Sequence, residues 1–185
     1  HFMAYILKKI FRNAATITNL VLGLARKVDY KTLNQYIIDI NQENDLDSIL
    51  QTTSKCLKDI LNYRLFAFAV QDGEKLDVWI DPSMYSKPLR KIIEKDFGLS
   101  AWYNTHYIDE NQTSEARMLA FSSSDLMAYV ISGDDFIAKM YILPERHMLE
   151  YHTEIISVIT KILGVALNNF MNIKRLENAA SFDPP

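Results

Sequence analysis

The side chains able to do chemistry in this 185-residue chain are few and poorly clustered. Its single cysteine, Cys56, excludes an internal disulfide framework and any cysteine-based zinc cluster. It falls inside a helical pattern and reads as packing. His147 and His152 are five apart, so they do not share a helix face, and no Asp/Glu/His grouping gives a metal-ligand set. Ser122-Ser-Ser124 lacks the G-x-S-x-G context of an activated serine and reads as a turn. Asp109-Glu110 and Asp134-Asp135 fall in a loop and a turn, where solvation is their ordinary role. Five glycines, at 23, 73, 98, 133 and 164, are too scattered for a phosphate cradle. No catalytic residue, metal site or obligatory cofactor is expected, and any cofactor is unknown.

What remains is a group of aromatic and basic residues suited to lining a small-molecule pocket: Trp102, Tyr103, His106, Arg117, Tyr129 and Tyr141. Arg117 would pair with an anionic ligand. The competing expectation is that these rings simply fill a core. Net charge is −3, so no global case exists for nucleic acid. Hydrophobic residues make up 49% and charged residues 23%, which suits one globular domain with an accessory element. No uncharged apolar stretch of membrane-spanning length is present, so no membrane span is expected. A lone thiol suits a reducing cytoplasm.

The elements that must hold these residues follow from periodicity. His1-Phe2 reads as a tag remnant before Met3. Residues 3–30 form an amphipathic helix, with Leu7, Ile10, Ala14, Ile17, Val21, Leu24 and Val28 spaced alternately 3 and 4. Residues 1–31 hold six bases and one acid, leaving 14 bases against 22 acids in the remainder. The stripe would serve as a dimerisation stalk, dock on its own domain, or lie on a membrane surface. Helices follow at about 31–43 and 45–61, the latter capped by Asp45 or Asp47. Two strands, 64–71 and 75–80, join at Asp72-Gly73. A helix spans 86–97, with Pro88 in its first turn and Gly98 at its end. Residues 99–114 lose periodicity and are expected to form a functional loop. Strands at about 117–121, 126–132 and 136–143 complete the sheet, and a helix runs from about 147 to 180. That helix repeats in heptads at Ile155, Ile159, Ile162, Ala166, Asn169, Ile173, Leu176 and Ala180. Asn169 at a seam position would fix register.

This order of elements resembles a GAF domain over roughly residues 32–175. The resemblance is carried by Asp45-Leu-Asp-Ser-Ile-Leu50, Phe66-Ala-Phe-Ala-Val70 with its turn, and Ile137-Ala-Lys-Met-Tyr-Ile142. It implies an α+β fold, with an antiparallel sheet of about five or six strands flanked by helices. The boundaries are 31–170 for the domain and 171–185 for a signalling-helix extension. It also implies a ligand site between the sheet and residues 83–116. The cysteine of tetrapyrrole-binding members and the Asn-Lys-x-Phe-Asp-Glu pattern of cyclic-nucleotide-binding members are absent. Leu176-Glu-Asn-Ala-Ala-Ser-Phe-Asp-Pro184 looks like the junction where such a helix enters a GGDEF diguanylate cyclase domain, although Pro185 stands where Leu is usual. The resemblance therefore implies a cytoplasmic sensor that homodimerises through its terminal helices and controls cyclic-di-GMP synthesis. The rival expectations are a ligand-free dimerisation module and a small stand-alone enzyme built on the 99–117 loop, with His106 beside Asp109 or Glu110.

Overall fold

The computed structural model describes residues 2–23, 30–98, 102–108 and 120–181. Among the described residues five α-helices and five strands follow one another: α1 (Phe2–Gly23), α2 (Tyr30–Gln42), α3 (Leu46–Leu61), β1 (Leu65–Asp72), β2 (Lys75–Asp81), α4 (Ser86–Phe97), β3 (Trp102–Tyr107), β4 (Met127–Ser132), β5 (Ile137–Leu143) and α5 (Glu150–Ser181). They form two compact units. One comprises His1–Cys56 with Leu149–Pro185, and the other Leu57–Met148.

In the first unit, helix ends and polar contacts follow local rules. Asp45 caps α3 by accepting the Ser48 amide at 2.7 Å. Leu33, Tyr36 and Ile40 of α2 are buried at i, i+3, i+7 spacing, and Ile49 and Leu50 of α3 are buried as well. The Tyr36 hydroxyl shares a hydrogen bond with Thr53 at 3.0 Å, and Thr53 donates back to the Ile49 carbonyl at 2.8 Å. Burial raises the Tyr36 phenol far above its ordinary value, so it stays protonated. At the start of α5, His152 replaces the usual glutamate of a capping box. Its Nδ1 accepts the Leu149 amide at 3.1 Å while its own amide donates to the Leu149 carbonyl at 3.0 Å.

The second unit is a mostly antiparallel five-stranded sheet in the order β3-β2-β1-β5-β4. The fold is α+β, as expected. The β1–β2 hairpin forms with Asp72 opposite Lys75. Gly73, at φ 62°, is the first of its two central residues, the position where such turns favour glycine. In the β4–β5 turn, Gly133 donates to the Phe136 carbonyl at 3.0 Å, and a Cβ there would run into the Phe136 ring. Gly98 ends α4 at φ 83°, its amide bonded to the Glu94 carbonyl.

Two expectations need correction. Residues 102–107 are strand β3, inside the stretch expected to be a loop, and β3 pairs with β2 in parallel, so the sheet is mixed. The reason is topological: a parallel neighbour requires a crossover, and α4 supplies it between β2 and β3. The strand expected at 117–121 falls largely outside the described residues, and Ala120 and Phe121 are not in a strand.

Register sorts the side chains into two faces. Leu65, Ala67 and Ala69 of β1, Leu76, Val78 and Ile80 of β2, and Tyr141 and Leu143 of β5 share one face. They form a buried cluster with Leu89 and Ile93 of α4, and Tyr103 packs against it. Asp81, at the end of β2, is 2% exposed. It accepts a hydrogen bond from the Tyr63 hydroxyl and lies 3.4 Å from Lys58 Nζ, tying the last turn of α3 to the sheet.

Candidate ligand site on the α4 face of the sheet

Four of the six pocket candidates can be placed, and they divide between the two faces of the sheet. Tyr103 and Tyr141 lie on the α4 face, because Tyr103 pairs with Leu76 and Tyr141 with Ala67. His106 pairs with Trp79 and Tyr129 with Met140, which places both on the other face. They cannot line one pocket with Tyr103 and Tyr141, since successive strand residues point to opposite sides. Trp102 belongs to β3, but its side chain lies outside the described residues, as does Arg117 altogether.

On the α4 face, Tyr141 is 1% exposed and donates its hydroxyl to Asp96 Oδ2 at 2.7 Å. The same oxygen accepts from Lys139 Nζ at 2.8 Å. Burial pulls the Asp96 carboxyl upward, but these two hydrogen bonds and the lysine charge hold it below the ordinary carboxylate value. Burial, followed by the hydrogen bond to Asp96, pushes the Tyr141 phenol strongly upward. Nearly two turns earlier on α4, Arg90 Nε pairs with Glu94 at 2.8 Å, and its guanidinium lies 4.7 Å from the centre of the Tyr103 ring. Tyr103 is half-buried, and that burial raises its phenol.

Asp96, Lys139, Arg90 and Glu94 are absent from the sequence-derived candidates. Lys139 carried a readable signal: it alternates with Tyr141 and Leu143 on a strand and thus occupies an inward-facing position. A charge placed there needs a partner, and Asp96 supplies it.

Chemically, this face offers two cations and two phenols, with each cation already matched by a carboxylate of α4. An anionic ligand would exchange places with Asp96 or Glu94, so binding would compete with the tie between α4 and β5. A catalytic nucleophile is not part of the cluster. Cys56 is buried in α3. Among the described residues no group of three or more His, Cys, Asp or Glu side chains is placed to hold a metal ion.

The opposite face carries a second polar pair. His106 Nε2 lies 3.0 Å from Asp77 Oδ1, and the imidazole stacks on Trp79 with centroids 4.6 Å apart at 17°. Asp109 and Glu110, the acids expected beside His106, lie outside the described residues. Tyr129 is half-buried, and its hydroxyl has no hydrogen-bond partner among the described residues.

The helical candidates also divide. Ile10 is buried and Leu7 partly buried, and α1 packs on α5 of the same chain. The side chains of Ala14, Ile17 and Val21, and all of Leu24 and Val28, lie outside the described residues. Along α5, Ile155, Ile159, Ile162 and Asn169 are buried and Ala166 is half-buried, whereas Ile173 and Leu176 are 37% and 58% exposed. By length and composition α5 is apolar enough to cross a bilayer, although charged residues interrupt it. Half of its most apolar window is buried within the fold, a pattern that core helices share.

No protein-family model, curated protein or solved structure matches the chain.

Proposed function

We propose that the chain is a GAF-like regulatory module that homodimerises through its terminal helices and transmits a signal through α5 to a diguanylate cyclase domain beyond Pro185. The observation that carries the reading is the end of α5. Its buried run stops at Met171, yet the helix continues to Ser181 and keeps heptad spacing through exposed Ile173 and Leu176. An apolar stripe that continues past its own cover is matched by a parallel copy of itself. A ligand on the α4 face would act by displacing Asp96 from Lys139 and Tyr141. A diguanylate cyclase needs two active sites brought face to face, so a change in helix packing would govern its rate.

The test is the oligomeric state of the chain at micromolar concentration by light scattering, together with oxidative cross-linking of Leu176→Cys. A parallel seam brings the two introduced thiols within disulfide reach, and Cys56 is buried away from competition. A dimer mass and an efficient cross-link are expected. A persistent monomer overturns the dimer. The reading frame after Pro185 tests the output domain: a Gly-Gly-Asp/Glu-Glu-Phe motif supports it, and its absence reduces the chain to a dimerisation module.

A further inference from the structure

The two edges of the sheet are made differently. β3, on one side, carries Asn104, Thr105 and His106. β4, on the other, reads Met-Ala-Tyr-Val-Ile-Ser, with no charge, proline or glycine. Among the described residues β4 pairs with β5 alone, one for one from Met127 opposite Ile142 to Ser132 opposite Ile137, without a bulge. Natural sheets protect an open edge with charges, prolines or bulges, because its free N–H and C=O groups are a template for another strand. β4 has none of these devices.

The hairpin turn fixes which backbone groups are free. The Gly133 amide donates to the Phe136 carbonyl at 3.0 Å, and bonded pairs alternate along an antiparallel ladder. Met127, Tyr129 and Ile131 therefore bond to β5, while Ala128, Val130 and Ser132 turn their N–H and C=O groups to the open edge. The side chains of those same three residues are exposed, Val130 at 63%.

We propose that β4 pairs antiparallel with β4 of a second copy of this chain, about a two-fold axis at Val130. In that register Val130 meets its own counterpart, and Ala128 meets Ser132 of the second copy. All three outward-facing residues thus complete their hydrogen bonds in both copies, and the pairing is closed. Tyr129 comes opposite Ile131 of the second copy, a favourable aromatic and β-branched pair. Moving the axis to Tyr129 or Ile131 leaves Ser132 or Ala128 without a strand residue opposite. β4 itself meets all of these requirements, whereas an unrelated strand would need the same alternation of small and apolar residues. The interface is separate from the seam on α5 and does not rest on it.

The experiment introduces single cysteines into the whole chain, whose own Cys56 is buried. Val130→Cys should oxidise to an inter-chain disulfide, because Cα atoms of a bonded antiparallel pair lie about 5.5 Å apart, within disulfide reach. Ile137→Cys is the control. Ile137 is 53% exposed on the same face but one strand back, so its counterpart is at least about 14 Å away and no cross-link should form. Light scattering gives a second readout. Val130→Lys sets like charges opposite each other and should halve the mass, whatever assembly the terminal helices support. Val130→Pro should do the same and spare the fold, since the Val130 amide is not bonded to β5. Circular dichroism checks that each variant is folded. The proposal is overturned if Val130→Cys cross-links no faster than Ile137→Cys, or if both other Val130 variants keep the parent mass. Unprotected amide exchange at Ala128, Val130 and Ser132 at every chain concentration also overturns it, and leaves the edge to a strand of another protein. Leu176→Cys reports on the α5 seam, so the two interfaces fail separately.

Discussion

Up to Met171, α5 is built like a core helix; beyond it, the same helix is built like half of an interface. Ile155, Ile156, Ile159, Leu163 and Leu167 are each at most 1% exposed, so two adjacent stripes are buried at once. From Ile173 onward every side chain through Ala180 is exposed, and only one stripe remains apolar. A buried helix is stabilised by the area it removes from water, about 25 cal/mol per Å². The exposed end gains nothing of the kind from its own chain. One continuous helix therefore joins a segment covered within the fold to one that the described residues leave exposed.

Four substitutions would break or sharpen this contrast. The largest effect is expected at Leu163→Ala, which empties a fully buried position and should cost about 2–5 kcal/mol, read as a lower urea midpoint. Next is Asn169, 6% exposed and with no partner for its Nδ2 among the described residues, where Leu should raise stability by about 1 kcal/mol by removing an unsatisfied buried amide. If Asn169 also sets dimer register, the same change should broaden the oligomer distribution in light scattering. His152→Ala should cost about 1 kcal/mol by freeing the Leu149 amide at the helix start. Burial lowers the His152 pKa from 6.5, so its contribution is complete above that value and is lost as pH falls from it towards the folded pKa. Urea titrations across that range should show parent and variant converging in acid. The smallest effect on folding belongs to Leu176→Ala, 58% exposed, within about 0.5 kcal/mol, although it should weaken a dimer.

Much of this architecture is legible because punctuation and period agree. Pro82 and Gly98 bracket α4, and its expected bounds match those observed, Ser86–Phe97. Asp72-Gly73 and Gly133-Asp134-Asp135 mark both hairpins. β3 escapes notice because Trp-Tyr-Asn-Thr-His-Tyr mixes aromatic and polar residues on an edge strand. Its parallel pairing, moreover, depends on a helix between the partners rather than on a turn signal. Residue type alone marks the pocket candidates, and strand parity separates Tyr103 and Tyr141 from His106 and Tyr129. Asp96 was invisible for another reason: a carboxylate on an amphipathic helix looks like any solvated one until Lys139 is placed opposite. On α1, the heptad stripe correctly places Ile10 on a buried side, but spacing alone cannot say which helix covers it.

The strand order also bears on biosynthesis. β1, at the centre of the sheet, pairs on one side with β2, its immediate successor, and on the other with β5, the last strand made. During translation the β1–β2 hairpin can form early, but its inner edge stays open until residues 137–143 have left the ribosome. That edge is Leu-Phe-Ala-Phe-Ala-Val, six uncharged residues of strong strand propensity. A chain stalled or truncated between β3 and β5 therefore exposes its most aggregation-prone strand, and expression boundaries placed there should yield insoluble product.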